Sequence, residues 1–204
     1  MTEKKRIAII EDHPIMRRGL ADYFTQTGCW NVVGTASSLD EAKALLSCTP
    51  PDIVLLDIQL EDGWGLDIIP FLDELYFSEP DKIPLVAVYS TFDNYAYVSA
   101  ALGMGVRAYV CKRRSENELE EALLLVLDGK TYVDDSVQLK LKTVASLFNV
   151  LTKREAEIMI LVKKGLSNKQ IADYLRISYR TVENILSCVY DKTGITTRLE
   201  LQQM

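Results

Sequence analysis

The 204-residue chain is 48% hydrophobic and 25% charged with a net charge of -6, the balance of a folded globular protein rather than a disordered or fibrous one. No apolar run reaches the roughly 20 residues a membrane-spanning helix needs, and the first residues carry no signal-peptide core. Four cysteines without C-x-x-C spacing and a single histidine, His13, argue against a zinc site, so the expectation is a reduced, cytoplasmic protein with no membrane partner.

The charge is unevenly placed. Residues 1–147 carry 14 Lys and Arg against 23 Asp and Glu, whereas residues 148–204 carry 9 against 6. An acidic front and a basic back predict two domains, the second suited to a polyanion.

In chain order, the first predicted element lies in "RIAIIEDHP", residues 6–14. Ile7–Ile10 reads as a strand buried on both faces, the habit of a parallel sheet. Further strands are predicted at Val32–Ala36, Ile53–Leu56, Leu85–Tyr89 and Val106–Val110. Helical patterns alternate with them. One begins near Pro14, with Ile15, Met16, Leu20 and Phe24 on one face. A second is capped by Ser38, with Glu41 completing a capping box. Others span about Leu66 to Tyr76, Asn94 to Leu102 and Glu116 to Leu127. Five strands alternating with five helices predict a doubly wound, five-stranded parallel sheet, in which ligands sit at the carboxyl ends of the strands.

The residues at those ends carry the chemistry. Strand one exits into Glu11 and Asp12, strand three into Asp57, strand four into Ser90 and Thr91, and strand five into Cys111 and Lys112. Adjacent carboxylates repel unless something positive lies between them. Three carboxylates on one rim form a hard oxygen site that suits Mg²⁺ better than zinc. The reading is that a divalent metal is the positive partner, held by Glu11 and Asp12 with Asp57 on the far side.

With these residues placed, the chain resembles the bacterial two-component response regulators of the NarL/LuxR type over essentially its whole length. The resemblance implies a flavodoxin-like receiver in which Asp57 is the phosphoacceptor, Ser90 and Lys112 assist, and Ser90 takes part in switching. It implies Mg²⁺ held by Glu11, Asp12, Asp57 and the backbone carbonyl of Gln59. Tyr109, three residues before Lys112, matches the family's switch aromatic, the alternative being an ordinary strand aromatic half in the core. Three departures stand out. Leu60-Glu61-Asp62 replaces a common Met-Pro-Gly, Trp64 replaces a common Asp or Asn, and Thr91 stands where Ala is favoured. Gly65 keeps the usual loop glycine.

Asp128-Gly129-Lys130 breaks the last receiver helix, and Val137, Leu141, Val144 and Phe148 recur at helical spacing, predicting a partly helical linker. Beyond it, Thr152 with Glu155 and Ser167 with Gln170 read as capping boxes, and Gly165 as a helix C-terminus closed by Leu166. Two short helices flank Arg176-Ile177-Ser178, a helix-turn-helix pattern. The spacing L-T-x-R-E, G-L-S-N-K-x-I-A and I-S-x-R-T-V is similar to the LuxR-type DNA-binding domain. The expected organisation is therefore a receiver over 1–128, a linker over 129–147, and a small all-α helix-turn-helix domain over 148–204.

In "YRTVENILS", Val182, Ile185, Leu186 and Val189 follow i, i+3, i+4, i+7 and predict the core face. The opposite face carries Arg180, Glu183, Asn184, Ser187 and Asp191 and is the one that would enter the major groove. Glu183 and Asn184 are the expected base readers, and Lys169, Arg180 and Lys192 the expected phosphate contacts. The partners implied are a sensor histidine kinase, double-stranded DNA and a second copy once phosphorylated, with the C-terminal helix from Thr197 contributing to the dimer. Two alternatives stay open. One is a metal-dependent phosphohydrolase with an aspartyl nucleophile, although Gln59 stands where such enzymes place a general acid. The other is a regulator that works without phosphate.

Overall fold

The computed structural model describes residues 4–93, 95–138, 151–193 and 197–203. They divide into two compact units, one drawn from residues 1–93 and 97–134, the other from residues 94–96 and 135–204. Among the described residues no helix is long and apolar enough to cross a membrane.

The first unit contains strands β1 (Lys5–Ile10), β2 (Trp30–Ala36), β3 (Ile53–Leu56), β4 (Gln59–Leu60), β5 (Gly63–Trp64), β6 (Leu85–Ser90), β7 (Ala108–Cys111) and β8 (Tyr132–Val133). Its helices are α1 (Pro14–Gln26), α2 (Leu39–Cys48), α3 (Ile68–Leu75), α4 (Tyr95–Gly103) and α5 (Glu116–Leu127). The main sheet has the order β2-β1-β3-β6-β7-β8, every neighbouring pair parallel. Its first five strands are the expected ones. The sixth, β8, is an addition to the five-stranded expectation and comes from the stretch read as linker. Two residues are too few to show a period. They pair because β7 leaves an edge open: the Tyr132 and Asp134 amides donate to the Arg107 and Tyr109 carbonyls at 2.9 Å each.

One sheet face is covered by α1 and α5. Ile7, Ile9, Ile53, Leu55, Ala87 and Val110 pack there against Leu20 and Phe24 of α1 and Leu119, Leu123 and Val126 of α5. Strand alternation sends Ala8, Ile10, Val54, Leu56 and Val88 to the opposite face. Burial at both faces explains why these strands read as unbroken apolar runs. Trp30 closes one end of the core, edge-to-face with Phe24 (centroids 5.4 Å), its indole N–H donating to Glu120 at 2.7 Å.

Two expectations need correction. Ile15 does not join Leu20 and Phe24 in the core but is 90% exposed, because the first turn of α1 overhangs the sheet edge beside Thr91 and Lys112. The box at α2 is only half formed. Ser38 accepts from the Glu41 amide at 3.2 Å, but the Glu41 carboxylate turns to the Ser37 amide and hydroxyl at 2.7 Å each. Of the remaining first-turn amides, that of Leu39 donates to Asp62 from the β4–β5 hairpin at 2.8 and 3.0 Å, and that of Asp40 reaches the same carboxylate at 3.5 Å.

The second unit contains α6 (Lys153–Lys163), α7 (Asn168–Leu175), α8 (Tyr179–Thr193) and α9 (Arg198–Gln203). Both expected capping boxes are present, at Thr152/Glu155 and Ser167/Gln170. Gly165 is left-handed (φ 83°) and Leu166 N–H closes onto the Leu161 carbonyl at 3.2 Å. The turn between α7 and α8 uses Arg176 in the left-handed region (φ 53°), an uncommon choice for a residue with a Cβ. Ile158, Met159, Ile171, Val182, Leu186, Val189 and Leu201 form the core, with Ile185 packed partly buried against it. The linker pattern at Leu141, Val144 and Phe148 lies outside the described residues.

Candidate functional site

The main sheet sets the rim. Each acidic or basic exit residue extends a strand by one further ladder bond. Glu11 N–H donates to Ala36, Asp57 N–H to Ile10 and Lys112 N–H to Ser90, at 2.9–3.0 Å. Their side chains therefore emerge at the same edge, above neighbouring strands.

There the cation between the carboxylates is Lys112. Its ammonium lies 2.6 Å from Asp57 Oδ2 and 2.7 Å from Glu11 Oε2, and all three side chains are almost fully buried. Besides the metal expected there, the lysine is itself a positive partner of Glu11 and Asp57. Burial pulls the Lys112 pKa down, but the hydrogen bonds to Asp57 and Glu11 outweigh it and hold the ammonium above the ordinary lysine value. One lysine still leaves three carboxylates under-neutralised. Asp12 Oδ1 is buried without a hydrogen bond. His13 Nδ1 lies 2.7 Å from that oxygen, at ion-pair distance but without hydrogen-bond alignment. The Asp12 charge beside it raises the His13 pKa above 6.5, with Glu11 adding to the effect.

Glu11, Asp12, His13 and Asp57 can each bring one ligand atom within 4.8 Å of the others. An orphaned buried carboxylate oxygen, surplus negative charge and hard oxygen donors fit a divalent cation such as Mg²⁺. His13 is a member of this group that the sequence reading did not select. The signal was its adjacency to the acidic pair. Arg17 was missed as well: it donates to the Glu11 and Asp12 carbonyls at 2.7 and 3.0 Å and fixes the loop that presents both acids.

Gln59 opens the β4–β5 hairpin opposite Trp64, with an exposed side chain. Gly65 follows the hairpin, and a Cβ there would overlap the Asp57 carbonyl oxygen, so only glycine lets the loop return so close to the acceptor. Ser90 is fully buried, its hydroxyl accepting from Phe92 N–H at 3.3 Å. Tyr109 is turned inward and fully buried, its hydroxyl donating to the Phe92 carbonyl at 2.6 Å. Burial pushes its phenol pKa well above the usual range.

In the second unit, Arg180, Glu183, Asn184 and Ser187 share the exposed face of α8, opposite buried Val182, Leu186 and Val189. Lys169 is exposed in the first turn of α7. Lys192 does not join them. Its ammonium is engaged by both Glu155 oxygens at 2.8 and 2.9 Å, a pairing across 37 residues that no local pattern reveals. Arg198 of α9 donates to Asn168 at 2.7 Å and to the Leu166 carbonyl, tying α9 to the start of α7.

Residues 7–124 match the family described as response regulator receiver domain, and residues 149–204 match bacterial regulatory proteins of the luxR family. The chain is 32% identical over 202 residues to the DNA-binding transcriptional activator DevR/DosR of Mycobacterium tuberculosis, covering 96% of this chain and 91% of that protein. It is 28% identical over 201 residues to the response regulator protein VraR of Staphylococcus aureus, covering 96% and 93%. Among solved structures, RcsB dimers bound to two parallel DNAs give a TM-score of 0.75 at 23% identity, covering 98% of this chain and 97% of that one. RcsB of Salmonella enterica serovar Typhimurium, bound to a promoter with the phosphomimetic BeF3-, gives 0.71 at 23%, again covering 98% and 97%. At that identity the structural likeness speaks for the fold alone. The receiver match over more than half of the chain, with the luxR-family match following it, places this protein among the response regulators of the NarL/LuxR type, DNA-binding transcription factors that join a receiver to a helix-turn-helix.

Proposed function

We propose that Asp57 accepts a phosphoryl group from the phosphohistidine of a sensor kinase, and that this state controls dimerisation and DNA binding. The observation that carries the reading is the charge balance at the rim, where one buried lysine pairs with two of the three acids and Asp57 is one of them, at 2.6 Å. In the transfer an Asp57 oxygen attacks phosphorus and forms the acyl phosphate. The P–N bond breaks and its electron pair returns to the imidazole nitrogen. Lys112 then moves a hydrogen bond to a phosphoryl oxygen, and the Ser90 hydroxyl turns to donate to another. Glu11, Asp12, Asp57 and the Gln59 carbonyl would hold Mg²⁺, which when bound supplies positive charge against the phosphoryl oxygens.

For the output, a single recognition helix reads only a few base pairs, so a dimer on two half-sites supplies the specificity that one unit lacks. The structurally similar RcsB is bound to DNA as a dimer, which supports the same arrangement here. Arg180 and Lys169 are the phosphate contacts and Glu183, Asn184 and Ser187 face the bases in this reading. The test is incubation with acetyl phosphate and Mg²⁺, followed by intact mass and sedimentation. The expected result is one phosphoryl group and a shift to dimer in the parent, and neither in Asp57→Asn. An Asp57→Asn protein with the parent's mass gain would sink the assignment.

A further inference from the structure

Trp64 has no part in the transfer just described, yet it is placed against it. It ends the hairpin that opens two residues after Asp57, and it is 39% exposed. Its ring meets Tyr97 of α4 edge-to-face, with centroids 6.5 Å apart. Tyr97 in turn lies against Phe92 at 4.7 Å. Phe92 is held by both of its backbone polar groups. Its N–H donates to Ser90 Oγ at 3.3 Å and its carbonyl accepts from the Tyr109 hydroxyl at 2.6 Å. Three rings thus run in contact from the loop beyond Asp57 to the two side chains that border the acceptor on the other side.

The Trp64 end of this chain is firmly anchored. Gly65 N–H donates to the Ile58 carbonyl at 2.6 Å, the loop presses on the Asp57 carbonyl, and Asp62 caps α2. The Phe92 end is held by Tyr109 at its carbonyl and by Ser90 at its N–H, and Ser90 Oγ has two claims on it. While it faces Phe92 N–H, the Phe92 loop and the rings stacked on it are held. Once it turns to a phosphoryl oxygen, that amide loses its acceptor.

We propose that Trp64 is a positioning residue which, through Tyr97 and Phe92, holds the Phe92 loop and α4 in the arrangement of the unphosphorylated protein, and that phosphorylation of Asp57 breaks the ring contact. The inference rests on Asp57 being the phosphoacceptor. Loss of one edge-to-face ring pair shifts an equilibrium by roughly two- to tenfold, so Trp64 favours the unphosphorylated arrangement by about that factor. Removing it raises basal output and narrows the gain on phosphorylation, since a shift in one state's weight is felt by every ligand of the other.

The experiment treats the full chain with acetyl phosphate and Mg²⁺ and records intact mass and tryptophan emission together. Trp30 is buried and Trp64 is not, so separation of Trp64 from Tyr97 moves the emission to longer wavelength. The parent is expected to show that shift as it gains its phosphoryl group. Trp64→Phe should gain the group without the shift, and Tyr97→Leu should gain it with the shift much reduced. Trp64→Ala should bind DNA about two- to tenfold more tightly than the parent before phosphorylation, and Trp64→Phe, which keeps a ring, should return to the parent's value. A parent that gains the group with unchanged emission overturns the proposal. So does a Tyr97→Leu protein with the full shift, or a Trp64→Ala protein with parental basal affinity. A parent that gains no phosphoryl group defeats the reading of Asp57 itself, and this inference with it.

Discussion

Each compact unit contains a lysine clasped by carboxylate oxygens, and the two clasps do different work. Lys112 of the receiver is 8% exposed and faces Glu11 and Asp57, with Asp12 adjacent. Lys192 of the helix-turn-helix unit is 39% exposed and, among the described residues, faces Glu155. Glu155 has in addition its capping role at Thr152, so its acceptor oxygens are fully engaged and the charges balance. The receiver cluster keeps excess negative charge, three acids against Lys112 with the exposed His13 2.7 Å from Asp12. A closed pair stabilises a fold, whereas an unbalanced buried cluster is a place for a cation or a reacting group.

The strongest way to break this contrast is Lys112→Ala. The variant leaves buried carboxylates facing one another and takes away the donor for the incoming phosphoryl oxygen. Phosphoryl acceptance from acetyl phosphate should fall on the order of 100-fold. Thermal melting should also become more dependent on Mg²⁺ than in the parent, because only the metal then opposes the acids. A time course by intact mass and paired melts with and without Mg²⁺ measure both. Parental rates in the variant would show that Lys112, like Lys192, is merely structural.

A second prediction sharpens the contrast from the DNA side, where α8 presents Glu183 and Asn184 rather than a row of cations. Glu183→Ala should cost about 1–3 kcal/mol of discrimination at one base pair, Glu being able to accept from cytosine N4. Binding to a panel of single-base variants reads this. Uniformly tighter binding to every sequence would make Glu183 a repulsive bystander. Lys169→Ala should have a smaller and sequence-independent effect, flattening the salt dependence of binding by about one phosphate contact.

What the sequence displays and what it hides divide along the same physical line. Ile7–Ile10, Ile53–Leu56 and the exits Glu11, Asp12, Asp57 and Lys112 were legible because burial on both faces makes long apolar runs, and a charge at the end of such a run is conspicuous. The capping boxes at Thr152 and Ser167 were legible because they act over three residues. Strand β8 and the β4–β5 hairpin were not, since two-residue strands carry no period. Lys112 as the cation between Glu11 and Asp57, and Lys192 as the partner of Glu155, come from residues brought together only by the tertiary fold. Ile15 shows the converse error, a residue with the right period on a helical turn that overhangs the sheet.

The smallest expected effect tests the closed clasp. The Lys192 ammonium, followed by the Thr152 N–H, holds the Glu155 carboxyl below its ordinary value of 4.5. A carboxyl whose pKa is lower folded than unfolded adds stability that is complete above the ordinary value and is lost as pH falls through the folded one. Amide hydrogen exchange in α6 and α8 should therefore stay slow at neutral pH and accelerate as the solution is acidified below about pH 4.5. In Lys192→Met the main cause of the lowered pKa is gone, so the acid dependence should become shallower. At neutral pH the same variant should melt only a few degrees lower, because the pair is partly exposed and salt-screened. Its DNA affinity and salt slope should match the parent's, since Lys192 is spent on Glu155. If Lys192→Met kept the parent's acid profile but lost salt-dependent affinity, Lys192 would be a phosphate contact that leaves Glu155 on binding, and the second clasp would be as functional as the first.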